Sequence, residues 1–148
     1  MSHPFTRSQM IFKDEIQSQL ADRNMLIDKV LLRLREAGCD PHPFFDRLCL
    51  DEAISNAMIH GNQQDPSKQV EVRVFCSPSL WGVEIIDQGA GFDWRTELSR
   101  LKGDHDLSSP SGRGLALIVS SGADVMFLDG GRRLLFMRKR SAALGSTP

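Results

Sequence analysis

Hydrophobic positions change their period along the chain, and each change marks an element. Between about Asp22 and Ala37, Leu26, Val30 and Leu34, flanked by Ile27 and Leu31, recur at helical spacing, with Gly38 as a natural stop. "CDPHPFF" restarts the chain. Asp40 is placed to cap a second helix and Pro41 suits its first turn. That helix is expected to run to about His60, with Gly61 as its C-terminal cap. The period then drops to two. In "QVEVRVFC", Val70, Val72, Val74 and Cys76 alternate with Gln69, Glu71, Arg73 and Phe75, the pattern of a half-buried strand. "SPS" turns the chain and "LWGVEIID" returns, which makes a hairpin. From Gly89 to Gly112 the text is polar and broken by glycine and proline, apart from a short amphipathic piece near Trp94 to Leu101. "GLALIVSSG" reads as a short helix, and "DVMFL", "DGG" and "RRLLFMRK" as a second hairpin. "QMIFK", residues 9–13, reads as a short opening strand.

Two helices, a hairpin, a loop and helix, and another hairpin predict an α+β fold. The expected architecture is a two-layer sandwich: a mostly antiparallel, mixed sheet covered on one face by helices. No internal repeat, low-complexity tract or linker divides residues 1–148. One domain is expected, with a core at about 20–140 and a frayed tail at 141–148.

Composition narrows the function classes. Of 148 residues, 41% are hydrophobic and 25% charged, as in a globular chain rather than a disordered one. Lys and Arg number 18 and Asp and Glu 19, a formal net charge of −1, so direct binding of nucleic acid or an anionic membrane is not expected. The opening "MSHPFTRSQMIFKDEIQ" lacks the basic-then-apolar layout of a signal peptide, and no apolar run reaches the roughly 18 residues of a membrane span. Cys39, Cys49 and Cys76 have no CxxC spacing, so they are expected to be small core residues of a reduced, cytoplasmic protein rather than disulfide or zinc ligands.

Three polar features interrupt the apolar pattern. In "LCLDEAISNAMIHGN", residues 48–62, Glu52, Asn56 and His60 recur every fourth residue, so a carboxylate, an amide and an imidazole share one stripe of the second helix. A core helix gains nothing from such a stripe, since each unpaired buried polar group costs about 1–3 kcal/mol. In "IIDQGAGFD", residues 85–93, alternation puts Asp87 on the same side as Val83 and Ile85. A carboxylate would then stand at the rim of the helix-covered face, where a donor such as the amino group of a base would satisfy it. Gly89 and Gly91 free the backbone there for a sharp turn or a close approach. In "SGRGLALI", residues 111–118, Gly112, Arg113 and Gly114 open a helix, whose free N–H groups and dipole attract phosphate. The polar stretch "DWRTELSRLKGDHDLSSPSG" between the second and third features is long enough for a lid. Each feature alone has an ordinary structural explanation; their order within one short span points to a nucleotide site.

"DEAISNAMIHGN" resembles the N-box of the GHKL ATPases, "DQGAGFD" their G1 box and "GRGLALI" their G2 box. The compact size and the form E-x-x-x-N-A-x-x-H-G resemble the anti-sigma-factor serine/threonine kinase branch of that superfamily. The resemblance implies a Bergerat-type ATP-binding fold with ATP and Mg²⁺ as cofactors. It assigns Asn56 to the metal and Glu52 to the general base. Asp87 would accept a hydrogen bond from the adenine amino group. Gly89 and Gly91 would lie close to the nucleotide and act as a lid hinge, and Gly112, Arg113 and Gly114 would hold the phosphates. For His60 a packing or hydrogen-bonding role at the helix end is expected. The final hairpin "DGGRRLLFMRK" departs from the branch in lacking its Gly-Thr pair. The implied partners are a sigma factor or other regulatory protein and a small antagonist protein phosphorylated on Ser or Thr. Assembly as a homodimer stays open. The alternative is a nucleotide-loaded module that sequesters a partner without phosphotransfer.

Overall fold

Every period-two segment becomes a strand, and every strand pairs antiparallel with its neighbours in a computed structural model that describes residues 2–96, 99 and 116–140. The strands are β1 (Met10–Gln17), β2 (Gln69–Cys76), β3 (Leu80–Ile86), β4 (Asp124–Leu128) and β5 (Arg133–Lys139), in the spatial order β1-β2-β3-β5-β4. Two helices, α1 (Arg23–Glu36) and α2 (Phe45–Asn56), join the sheet to give the α+β sandwich. Hairpins β2-β3 and β4-β5 are those expected from the alternation. The opening strand is longer than "QMIFK". Its second half carries Lys13, Asp14 and Glu15, yet burial still alternates along it, because an edge strand needs only one apolar face. Asp14 meets Lys29 of α1 at 3.4 Å.

Helix α1 turns Leu26, Ile27, Val30, Leu31 and Leu34 into the core. Gly38 ends it at φ +84°, and the N–H of Cys39 reaches back to the carbonyl of Leu34 at 2.9 Å. Helix α2 starts later than Asp40. Pro43 disfavours helical backbone at His42, and the open N–H groups find other acceptors. His42 Nδ1 accepts from the N–H of Phe44 and Phe45, at 3.2 and 3.0 Å. The carboxylate of Asp46 accepts from the N–H of His42 at 2.7 Å, and Arg138 of β5 donates to its other oxygen at 2.5 Å. Asp46, not Asp40, is therefore the acid that anchors this helix start.

The far end of α2 also departs from expectation. It passes into a π turn, Ala57–Gly61, closed by the N–H of Asn62 donating to the carbonyl of Ala57 at 2.8 Å. Such wide turns concentrate at functional sites. Gly61 does not act as a left-handed cap; Asn62, at φ −89°, ends the turn.

The main core lies between the helices and the sheet face carrying Val70, Val72, Val74, Trp81, Val83, Ile85 and Phe136. The opposite face is covered as well. Residues near the N-terminus cross it, and Phe5 stacks on Phe75 at 5.2 Å beside Leu135 and Met137. The three cysteines are free. Cys39 Sγ lies 3.3 Å from Cys76 Sγ, and burial pushes the Cys39 thiol up to about 12. No helix among the described residues is long and apolar enough to cross a membrane.

Candidate functional site

Where α2 gives way to the π turn, the helix layer and sheet part to leave a hollow of about 170 Å³. Ala53 and Ala57 face it from the helix, and their small side chains keep it open. Ile85, Ile118, Phe127 and Leu134 make apolar walls. Its polar side chains are Asn56 and His60 from the helix, Asp87 just past the end of β3, and Arg132 just before β5. A mostly apolar hollow with a few convergent polar groups is what a small organic ligand requires.

Asp87 is set by its backbone neighbours. Its Oδ1 accepts the N–H of Gly89 at 2.8 Å, while Oδ2 has no hydrogen bond among the described residues. Burial raises its pKa above the ordinary aspartate value; that hydrogen bond and the charges of Arg132 and Lys68 act in the opposite direction. A desolvated carboxylate oxygen left open in this way is suited to a neutral donor such as an aromatic amino group.

The glycines here answer to close approach. A Cβ on Gly61 would lie 2.4 Å from the carboxyl carbon of Asp87, and one on Gly89 would lie 2.1 Å from the carbonyl oxygen of Gly61. The π turn and the strand end thus touch backbone to backbone, which puts Asn56 and Asp87 on one hollow. Gly91, also on the hollow, has φ +84°.

Of the residues singled out from sequence, Asn56, Asp87 and Gly91 line the hollow together. Gly89 stands behind Asp87 and shapes it. Glu52, one turn before Asn56, is half-buried and is not among the lining residues. His60, expected to pack or hydrogen-bond at the helix end, is instead exposed on the hollow with no hydrogen-bond partner among the described residues. Gly112, Arg113 and Gly114 lie outside the described residues, as does most of the stretch expected to form a lid. Residues 116–120 are helical, as "GLALIVSSG" implied, and Ile118 is fully buried against the hollow. Sequence reading missed the walls Phe127 and Leu134, although the alternation of the second hairpin could have assigned them a face. It also missed Phe92, 47% exposed at the rim and set edge-on to Phe127 with ring centroids 5.3 Å apart.

These residues fit an adenine nucleotide. Apolar walls suit a purine face, and the free oxygen of Asp87 suits its amino group. Among the described residues no group of His, Cys, Asp or Glu could hold a metal by itself. A Mg²⁺ ion would suit the side-chain oxygen of Asn56 together with ligand phosphates, since that ion commonly takes few protein oxygens when phosphates are present.

Sheet and helix layer define a two-layer α+β protein with a hollow between α2 and the ends of β3 and β5. The chain belongs to the family described as the histidine kinase-like ATPase domain, whose family model matches residues 25–139. This places it in the GHKL superfamily and supports ATP binding and a kinase-like function. Its fold is similar to that of a solved structure titled "Mycobacterial sensor histidine kinase MprB", with a TM-score of 0.54 and 16% identity, over 87% of this chain and 98% of that one. Among curated proteins none matches the sequence.

Proposed function

We propose that the chain is an ATP-dependent protein serine/threonine kinase of the partner-switching type, resembling the anti-sigma factors. The observation that carries this reading is the meeting of Asn56 and Asp87 on one apolar-walled hollow in a chain of the histidine kinase-like ATPase family. Asp87 accepts the adenine amino group, Asn56 holds Mg²⁺, and Gly112, Arg113 and Gly114 bind phosphates at a helix start. A bound Mg²⁺ ion neutralises phosphate charge. Glu52 takes the proton from the hydroxyl of a small antagonist protein, so that its oxygen attacks the terminal phosphorus of ATP while the bond to the bridging oxygen breaks and ADP leaves. In its other state the chain holds a sigma factor or similar regulator, as a single cytoplasmic domain with no direct contact to nucleic acid.

Two observations favour a second reading, a nucleotide-loaded module that sequesters a regulator without phosphotransfer. Glu52 is not among the residues lining the hollow, and the final hairpin "DGGRRLLFMRK" lacks the Gly-Thr pair of the kinase branch. Labelled ATP incubated with the protein and the antagonist recovered from its own cells separates the two. The kinase reading expects label on Ser or Thr of the antagonist, lost in Glu52→Ala. An unlabelled antagonist, or equal transfer by Glu52→Ala, overturns that reading and leaves the binding module.

A further inference from the structure

We propose that Asn62 is a positioning residue for purine recognition, holding the peptide that carries Asp87 so that its free oxygen stays aimed at an exocyclic amino group. The inference rests on the reading of Asp87 given above. Asn62 is fully buried, at 0% exposure, directly after the π turn. Its Nδ2 donates to Ser18 Oγ at 2.8 Å and to the carbonyl of Gln69 at 2.9 Å. Its Oδ1 accepts the N–H of Gln88 at 2.7 Å. The amide can face only one way. The Gln88 N–H must donate and the Gln69 carbonyl must accept, while the Ser18 hydroxyl gives its own proton to the carbonyl of Lys68 at 2.9 Å. One side chain thus joins the end of β1, the start of β2 and the exit of β3. Gln88 Oε1 closes the network by accepting the N–H of Gln69 at 2.7 Å.

Both peptide groups flanking Asp87 are therefore pinned. The N–H of Asp87 donates to the carbonyl of Arg132 at 3.0 Å, and the N–H of Gln88 donates to Asn62. Gly89 then takes Oδ1, leaving Oδ2 with its direction already set. Hydrogen bonds weaken steeply with misalignment, whereas apolar contact with a purine face does not. Loosening the peptide should cost recognition of the amino group and spare the rest of the binding energy. A role in stability alone would weaken every nucleotide alike.

Two nucleotides that differ only in the amino group make the test: ATP and purine riboside triphosphate, titrated calorimetrically into the full chain, Asn62→Ser and Asp87→Asn. In Asn62→Ser the preference for ATP is expected to fall by about fivefold or more, with purine riboside triphosphate bound within about twofold of the parent. A preference that survives in Asn62→Ser while collapsing in Asp87→Asn overturns the part given to Asn62 and leaves Asp87 standing. A parent without preference, or an Asp87→Asn variant that keeps it, overturns the reading of Asp87 and the inference with it. Should Asn62→Ser not fold, amide hydrogen exchange in the parent decides. The Gln88 N–H is expected to be protected without nucleotide, and exchange as fast as an open loop amide overturns the proposal.

Discussion

Glu84 and Asp87 stand three residues apart on and just beyond β3, on opposite faces of one sheet, and each is a carboxylate drawn out of water. Glu84 is fully buried on the outer face: His3 Nε2 meets its Oε2 at 3.1 Å, and the guanidinium groups of Arg73 and Arg133 stand 3.7 and 3.9 Å from Oε1, which makes no hydrogen bond among the described residues. Asp87 borders the helix-side hollow and is held by a neighbouring backbone N–H. Glu84 meets opposite charge from within the chain, and His3 ties the N-terminal residues to it. Asp87 keeps one oxygen open on the hollow, and within the chain only the Gly89 N–H and the charges of Arg132 and Lys68 act on it. The contrast teaches that burial alone does not mark a ligand site; what matters is whether the chain supplies the counter-groups itself.

The largest effect expected from breaking this contrast is on stability. Glu84→Ala should cost about 3 kcal/mol in denaturant unfolding, because it strips the shared partner from arginines over a packed face. Nucleotide affinity should stay near the parent's; a parallel loss of affinity would mean that the two faces are coupled. Asp87→Asn should do the reverse. It should weaken ATP binding roughly 10- to 100-fold by calorimetry, as loss of a charged hydrogen bond of about 1.5–3 kcal/mol implies, with little change in unfolding. Unchanged affinity would remove Asp87 from the site.

Acidification sharpens the difference. Burial raises the pKa of Asp87, so in the empty protein its ionised form costs stability, and that cost is relieved as pH falls through the raised value. Binding runs the other way, because only the ionised carboxylate accepts at both oxygens. ATP affinity should therefore decline on acidification through the raised Asp87 value, before pH reaches the ordinary aspartate range, and Asp87→Asn should flatten that part of the profile. Titrations of both proteins at a series of pH values would check it. The smallest effect belongs to the edge of the outer cluster. His3 is about one-quarter exposed, and His3→Ala should cost no more than about 1 kcal/mol, read by thermal unfolding.

Much of this was legible in the chain before any coordinates. Helical spacing of Leu26, Val30 and Leu34, and alternation through Val70, Val72 and Val74, follow from the requirement that each element bury one face, and they appear in place. Glycine punctuation separated the elements. Of the residues lining the hollow, the sequence pointed to Asn56 and Asp87, because a polar residue at an inward position has no packing purpose. The start of α2 was less legible. Asp40 and Asp46 are both acids near prolines, and only the arrival of Arg138, 92 residues along the chain from Asp46, distinguishes them.

What the sequence alone determined is local: the period of each segment, the turns between them, and which polar residues break the pattern. Tertiary structure decided which of those residues meet. Gly61 reads as a helix stop in the chain, yet in space it is where the π turn lies against Asp87. Asn62 reads as an ordinary polar residue after a helix, yet it is fully buried and bonded to three separate strands' ends. Glu84 alternates outward from the helices as a surface residue would, yet residues from the N-terminus cover it. Periodicity records a residue's face within its own element, whereas burial and hydrogen bonding depend on segments far away in sequence. Those contacts come into being only when the sheet closes.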